Sequence, residues 1–245
     1  MNTFAVSGNR YSFFYMHFYQ ILFITFFFQT AYAQSENTGI PETEQRMIAQ
    51  GLVDIQKSDP AILVDLKYST RDNFIGKDVY GDLTRAYLQP EMAKRLIQAH
   101  KLLQKSNPGY RFLIYDAARP NSVQYALWDA LDALKIPERS KAQYVADPKT
   151  GSNHNFGCAV DLTVVDEKGI PLDMGTKFDY FGPLAYPRSE QEMLRLGKLT
   201  SRQIGNRKIL RTAMTQAGFK QNTTEWWHYD GISKAAARAK YGIIK

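Results

Sequence analysis

Four side chains, two of them histidines, have the types and spacing of a metal-centred hydrolytic site. His154 follows Gly-Ser-Asn, and Asp161 comes seven residues later inside the run Ala-Val-Asp-Leu-Thr-Val-Val. A carboxylate in such an apolar run is costly to bury unless a cation or several hydrogen-bond donors compensate it. On this stretch alone, a metal ion is as good an explanation as an arginine partner or a loop that Asp161 caps.

Glu225 and His228 flank two tryptophans in the sequence Glu-Trp-Trp-His. A spacing of three puts the two polar side chains on opposite faces of a regular strand, so we expect a bulge or tight turn to bring them to one side. Taken alone, a histidine in this setting is more commonly a hydrogen-bonded core residue than a metal ligand. Two histidines and one carboxylate, with a second carboxylate nearby, are however the parts of a catalytic zinc site with an open fourth position.

The other histidines and the single cysteine offer no competing site. His17 lies in the apolar amino-terminal segment, and His100 lies in a predicted helix. Cys158 is the one cysteine of the chain, which excludes an intramolecular disulfide. Its small apolar neighbours favour a buried strand residue over a nucleophile, because a catalytic thiolate needs a stabilising partner.

The elements that must position these residues alternate between strands and helices. Strands are predicted at residues 61–68, 110–115, 157–165 and 224–229, the last of them a short strand or turn. Helices are predicted at residues 42–50, 90–106, 122–135 and 202–216. Loops are predicted at residues 69–82 and 166–189. Strands and helices without a regular βαβ rhythm predict an α+β single domain, with a small, mainly antiparallel sheet flanked by helices.

The amino-terminal segment has the order of a secretory signal peptide. Residues 12–35 contain no Asp, Glu, Lys or Arg, Arg10 precedes them, and Ala31-Tyr-Ala33 is a small-x-small cleavage site. We therefore expect residues 1–33 to be removed after Ala33, leaving residues 34–245 as an exported, periplasmic domain that is free of the membrane. The alternative is an uncleaved membrane anchor, although an apolar core of about eleven residues is short for a bilayer.

Composition and charge narrow the classes of molecule that the protein could bind. The hydrophobic content of 44% and the charged content of 22% are those of an ordinary globular protein. The net charge of +7 comes from Lys and Arg spread along the chain, without a basic run or interleaved aromatic residues. This distribution disfavours nucleic-acid binding. Attraction to an anionic cell envelope or to carboxylate-bearing substrates explains it equally well.

Taken together, these motifs resemble a known family. Ser152-x-His154-x-x-Gly157-x-Ala159-x-Asp161, followed by Glu225-Trp-Trp-His228, resembles the D-alanyl-D-alanine dipeptidases of the zinc D,D-peptidase family, which shares its fold with hedgehog-type domains. The similarity covers nearly all of the chain after the predicted signal and includes three further segments, Lys67–Lys77, Asp116-x-x-Arg119-Pro120 and Met174–Asp179. The doubled Trp and the segment Asp-Asn-Phe-x-Gly-Lys favour the dipeptidase branch over the carboxypeptidases.

The resemblance implies one zinc ion per chain, held by His154, Asp161 and His228. It implies that Glu225 is the catalytic base and that the reaction is hydrolysis of D-alanyl-D-alanine by a zinc-bound water. The family's glycopeptide-resistance dipeptidases act in the cytoplasm, whereas this chain has a predicted export signal. That departure favours the scavenging of wall dipeptides or signalling over resistance.

The resemblance also implies roles for four other residues. Arg119 matches the family position that stabilises the oxyanion, and Asp179 matches the position that recognises the substrate ammonium. Ser152 and Tyr68 match positions that line the substrate pocket. From the residues alone, the less favoured alternatives are that Arg119 is a surface residue after a strand and that Asp179 only stabilises its loop.

Two other functions remain open at this point. The first is a D,D-carboxypeptidase or endopeptidase that acts on peptidoglycan stem peptides, in which Asp179 would not close the cleft. The second is a binding domain that keeps zinc and has lost activity. The presence of the base, the three ligands and Arg119 argues against the second. The sequence makes no prediction of the oligomeric state.

Overall fold

The computed structural model of this protein describes residues 39–245, so the predicted signal peptide, residues 1–33, lies outside the described residues. The helices are α1 Glu42–Ala49, α2 Ile55–Ser58, α3 Pro90–Ser106, α4 Asn121–Ala133, α5 Glu138–Lys141, α6 Glu190–Arg195, α7 Ser201–Gln216 and α8 Lys234–Lys240. The strands are β1 Val53–Asp54, β2 Leu63–Val64, β3 Tyr87–Leu88, β4 Arg111–Asp116, β5 Ala159–Val165, β6 Lys220–Gln221 and β7 His228–Asp230. Four short 3-10 turns lie at Lys67–Ser69, Asn153–Phe156, Pro183–Ala185 and Pro187–Ser189. No helix within residues 39–245 is long and apolar enough to span a bilayer.

The main sheet has five strands in the order β2-β4-β5-β7-β6. Within the described residues, β2 and β4 are its one parallel pair, and the other three neighbouring pairs are antiparallel. All seven residues of β5 are buried, as its apolar sequence and its place between β4 and β7 require. The predicted α+β fold, with a small, mainly antiparallel sheet flanked by helices, is confirmed.

Two long helices pack against each other and against the sheet. α3 begins with Pro90, whose fixed φ suits the first turn of a helix, and it buries Met92, Leu96 and Leu103. α3 contacts both α7 and β4, and α7 contacts β5. α7 begins at a capping box between Thr200 and Gln203. Both helices lie within one residue of their predicted bounds.

A buried arginine on α7 holds the irregular connection of residues 166–189. Arg207 is fully buried, and its guanidinium donates to the carbonyl oxygens of Met174 and Leu184, each at 2.7 Å. A long loop without strand or helix ladders needs other partners for its backbone groups. Arg207 supplies two of these hydrogen bonds and so fixes the segment that carries Asp179.

The predicted strand at residues 61–68 is largely wrong. β2 contains two residues, and Lys67–Ser69 is a 3-10 turn. The Tyr68 carbonyl accepts hydrogen bonds from the backbone N–H groups of Val79 and Tyr80, so the following loop uses the group that a longer strand would have paired. Local β-propensity therefore yields to a contact made by residues further along the chain.

Gly157 ends the Asn153–Phe156 turn in the left-handed conformation, with φ of 65°. This reversal leads the chain from the turn that carries His154 into β5, which begins at Ala159. A Cβ atom at this position would lie 3.0 Å from Leu52 Cδ2 and 3.3 Å from the backbone nitrogen of Gln89. Gly157 is thus required both by its backbone conformation and by close packing.

We predict that Gly157→Ala lowers the free energy of unfolding by about 2–3 kcal/mol, because strain at positive φ adds to a steric clash. Gly76→Ala is the matched control, since Gly76 has φ of +69° but no heavy atom within 4 Å of its Cβ position. It should cost only about 1 kcal/mol. Urea unfolding measures the free-energy change in both variants, and an unchanged m-value shows that the change reflects stability alone. Equal losses in the two variants would contradict the packing claim.

Candidate active site

The register of three neighbouring strands brings charged residues side by side. Asp116, at the end of β4, pairs with Asp161 of β5 across a bulge that follows Ile114. Asp161 in turn pairs with His228, the first residue of β7. Because side chains alternate along β5, Asp161 lies on the opposite face from the apolar residues that precede and follow it. The sheet itself therefore places a carboxylate beside an imidazole.

His154 is supplied by the 3-10 turn that precedes β5. A capping box between Ser152 and Asn155 closes this turn, and His154 is buried. His154 Nδ1 lies 2.7 Å from the carbonyl oxygen of Ala117. A carbonyl oxygen only accepts, so Nδ1 carries the proton and Nε2 keeps a free lone pair. The turn therefore presents a metal-binding nitrogen in a defined orientation.

His228 is oriented by two carboxylates. The backbone N–H of His228 donates to the Glu225 backbone carbonyl oxygen, with 3.4 Å between nitrogen and oxygen. This contact closes the tight turn that the Glu-x-x-His spacing requires. Its Nε2 donates to Asp230 Oδ1 at 3.0 Å, while Nδ1 lies 2.9 Å from Asp161 Oδ1. Burial opposes a charged ring, but Asp230 and Asp161 outweigh it and raise the pKa of His228 well above its ordinary value. A metal ion that binds Nδ1 of His228 displaces the proton that this nitrogen carries in the charged ring.

The donor atoms of His154, Asp161 and His228 form a compact triangle. Nε2 of His154 lies 3.1 Å from Nδ1 of His228 and 3.4 Å from Oδ1 of Asp161. Tetrahedral ligands with bonds of about 2.0–2.1 Å lie about 3.3 Å apart, so the triangle fits a single ion. Burial would raise the pKa of Asp161, but the two histidines outweigh it and keep the pKa below its ordinary value. These three residues can hold a metal ion.

Glu225 lines the same cleft as the triangle and is half-buried. Its Oε2 accepts a hydrogen bond from Asn222 Nδ2 at 2.9 Å. Burial raises the pKa of the Glu225 carboxyl, the charge of Asp161 adds to this rise, and His228 opposes it. A raised pKa makes Glu225 a stronger proton acceptor than an ordinary carboxylate, as a general base requires.

Arg119 is buried at the cleft, which excludes the alternative of a surface residue. Its Nε donates to Asp116 Oδ2 at 2.9 Å, its Nη2 donates to the same oxygen, and its Nη1 donates to Gln124 Oε1 at 2.8 Å. The guanidinium also stacks over the Tyr68 ring at 5.3 Å. Asp116 is itself held by a short hydrogen bond from the Tyr80 hydroxyl. Each terminal nitrogen of Arg119 has a second N–H that the bonds to Asp116 and Gln124 do not use.

Asp179 has a positive φ of 60°, a conformation that Asp tolerates better than most residues. Tyr68 donates its hydroxyl hydrogen to Asp179 Oδ1 at 3.1 Å, and the Phe74 N–H lies 3.5 Å from Oδ2. Burial and the charge of Asp161 raise the pKa of the Asp179 carboxyl well above its ordinary value. A cationic group placed against Asp179 would stabilise its charged form.

The residues singled out in the sequence meet in one cleft of about 320 Å³, within the size range of small-molecule sites. Its lining includes all eight of them: Tyr68, Arg119, Ser152, His154, Asp161, Asp179, Glu225 and His228. Sequence reasoning missed Asp230, although His228 and Asp230 are two apart on a strand and so share a face. It also missed Gln124, whose Oε1 accepts from both Arg119 and the Ser152 hydroxyl.

Comparison with known proteins identifies the family of this chain. A family model described as D-ala-D-ala dipeptidase, peptidase family M15, matches residues 48–244. A D-alanyl-D-alanine dipeptidase of Escherichia coli is 36% identical over 179 residues, which are 73% of this chain and 83% of the relative. One from Enterococcus faecium is 30% identical over 180 residues, which are 67% of this chain and 83% of the relative.

A solved structure of the LdcB LD-carboxypeptidase aligns with 62% of this chain and 63% of that chain, at 21% identity and a TM-score of 0.39. The family model and the two curated relatives cover most of the chain and confirm the resemblance seen in the motifs. The chain belongs to the D-Ala-D-Ala dipeptidase family and is a peptidase enzyme.

Proposed function

We propose that this enzyme is a zinc-dependent dipeptidase that hydrolyses D-alanyl-D-alanine to two molecules of D-alanine. The observation that carries the proposal is the donor triangle of His154, Asp161 and His228 in a cleft that Glu225 also lines. Membership of the D-Ala-D-Ala dipeptidase family supports the choice of substrate.

One zinc ion per chain would be held by His154, Asp161 and His228. A zinc ion held by these residues would lower the pKa of a bound water to about 7 and so supply a nucleophile at neutral pH. Asp230 holds the proton on His228 Nε2 and leaves Nδ1 for the ion. The Ala117 carbonyl does the same for His154, leaving Nε2.

Glu225 is the proposed general base and acid. It takes a proton from the attacking water and passes it to the leaving amine nitrogen as the peptide C–N bond breaks. Burial raises the pKa of its carboxyl, which strengthens it as a proton acceptor compared with an ordinary carboxylate.

Arg119 is the proposed partner of the oxyanion that forms when water adds to the peptide carbonyl. Asp116 and Gln124 hold its guanidinium in place before substrate arrives, and two N–H groups remain free of them. Donors that are fixed in advance need no reorganisation during the reaction. Asp179 is the proposed partner of the substrate ammonium, and the Tyr68 hydroxyl holds its carboxylate. Ser152, hydrogen-bonded to Gln124, completes the proposed substrate-binding set.

Glu225→Gln should lower kcat about 10²- to 10⁴-fold while zinc content stays near one per chain, because the amide cannot accept the water proton. Glu192→Gln, on the exposed side of α6, is the matched control and should keep full activity. A chelator should abolish the activity of the native enzyme, and added zinc should restore it. Undiminished turnover by Glu225→Gln would remove Glu225 from the mechanism.

Asp179→Asn should lower kcat/KM for D-alanyl-D-alanine about 10- to 100-fold and leave the already slow turnover of N-acetyl-D-alanyl-D-alanine almost unchanged, since only the free dipeptide has an ammonium. Asp129→Asn, at an exposed position of α4, is the control. Equal turnover of both substrates by the native enzyme would instead favour a D,D-carboxypeptidase or endopeptidase acting on peptidoglycan stems.

We also propose that residues 1–33 direct export and are removed. When the full chain is produced in a Gram-negative host, the protein recovered from the periplasm should begin at Gln34, as measured by intact mass and amino-terminal sequencing. Recovery of the uncut chain in the membrane fraction would favour the anchor alternative.

A further inference from the structure

The substrate proposed above carries a carboxylate as well as an ammonium, and a cleft that excludes water must neutralise both. Asp179 is the proposed partner of the ammonium, whereas the remaining N–H groups of Arg119 are assigned to the oxyanion and no other cation has been described for the carboxylate. Arg119 is already paired with the buried Asp116 and donates to Gln124. The cleft therefore needs a further cation.

Lys234 lines the cleft together with the metal-ligand triangle, and its side chain is half-buried. Its Nζ donates a hydrogen bond to Thr150 Oγ1 at 2.9 Å. An ammonium has three N–H donors, so two remain. Within residues 39–245, Lys234 forms no ion pair with a carboxylate, unlike Arg119, the other lysine or arginine of the cleft.

The backbone that carries Lys234 is fixed relative to the proposed metal site. Asn153, which precedes His154, donates through Nδ2 to Asp230 Oδ1 at 2.7 Å and to the Ile232 carbonyl at 3.0 Å. Ser233 then caps α8 by accepting a hydrogen bond from the Ala236 N–H at 3.2 Å. Lys234 therefore begins a helix whose start is tied to the turn that supplies a proposed ligand.

Lys234 and Asp179 occupy separate positions on the cleft wall. Asp179 contacts Tyr68 and Phe74, whereas Lys234 contacts Thr150, and the two share no hydrogen-bond partner. Burial lowers the pKa of the Lys234 ammonium, which an adjacent anion would reverse. One negative and one positive group with separate partners supply a counter-charge for each charged end of a zwitterionic dipeptide.

We propose that Lys234 binds the carboxylate at the carboxyl terminus of the dipeptide, with Thr150 orienting the lysine ammonium. The inference rests on the proposed dipeptidase function and adds to it a determinant of specificity. Together with Asp179, Lys234 restricts the cleft to peptides in which both termini are free.

The test measures binding without turnover, by calorimetry on zinc-loaded Glu225→Gln protein. The ligands are D-alanyl-D-alanine and its carboxyl-terminal amide, which differ in the charge that Lys234 recognises. The free acid should bind about 10- to 100-fold more tightly than the amide. Adding Lys234→Met should reduce the affinity for the free acid to that for the amide. The affinity for the amide should stay nearly unchanged. Lys234→Arg should keep most of the preference.

Lys168→Met, in an exposed turn outside the cleft, is the matched control and should change neither affinity. Lys234→Gln is a second neutral variant, and circular dichroism with zinc content verifies folding of each. An unchanged preference for the acid in both neutral variants, or equal weakening of acid and amide, would overturn the assignment of Lys234 while the dipeptidase proposal stands. Failure of the native enzyme to hydrolyse the dipeptide, with no binding of either ligand, would overturn both.

Discussion

The pairing register of β4, β5 and β7 is the constraint on which the rest of the site depends. It sets Asp161 opposite both Asp116 and His228. Side chains alternate along a strand, so a slip of one residue would turn Asp161 to the other face of the sheet. The apolar residues of β5 prevent that slip, because they are buried and would have to exchange places with a carboxylate. Burial of β5 therefore fixes the face of the sheet on which its polar side chains lie, in addition to stabilising the fold.

Charges enclosed around the cleft are matched by partners from different elements. Asp116 joins the end of β4 to Arg119 and Tyr80, and Asp230 joins β7 to Asn153. Compared with apolar packing, such buried pairs add little net stability, yet removal of one member costs about 3–5 kcal/mol because it strands the other charge. The network is thus better understood as a means of fixing geometry. Its cost to the fold is offset by the large apolar core.

Long elements with a strong pattern could be predicted from the sequence, whereas features that depend on distant contacts could not. α3 and α7 combine clear start signals with several turns, and β5 is an unambiguous apolar run. The strand predicted at residues 61–68 failed because a later loop uses the Tyr68 carbonyl. In the site, the scarcity of histidine and the family resemblance led to the donor triangle. Lys234 gave no local signal, since a hydrogen bond spanning 79 residues, between Asn153 and Ile232, fixes the backbone before it.

The two histidines face the triangle through different ring nitrogens, and this asymmetry has a mechanical consequence. His228 uses Nδ1, the nitrogen nearer its own backbone, and His154 uses Nε2, the farther one. The ligand on β7 is therefore a short arm, and the ligand on the turn is a long one. Because Asp161 also belongs to the sheet, an ion held here would move with the sheet. The turn would reach that ion only through the longer arm, so its position depends on its own contacts, the Ala117 carbonyl on His154 and the hydrogen bonds from Asn153 to Asp230 and Ile232.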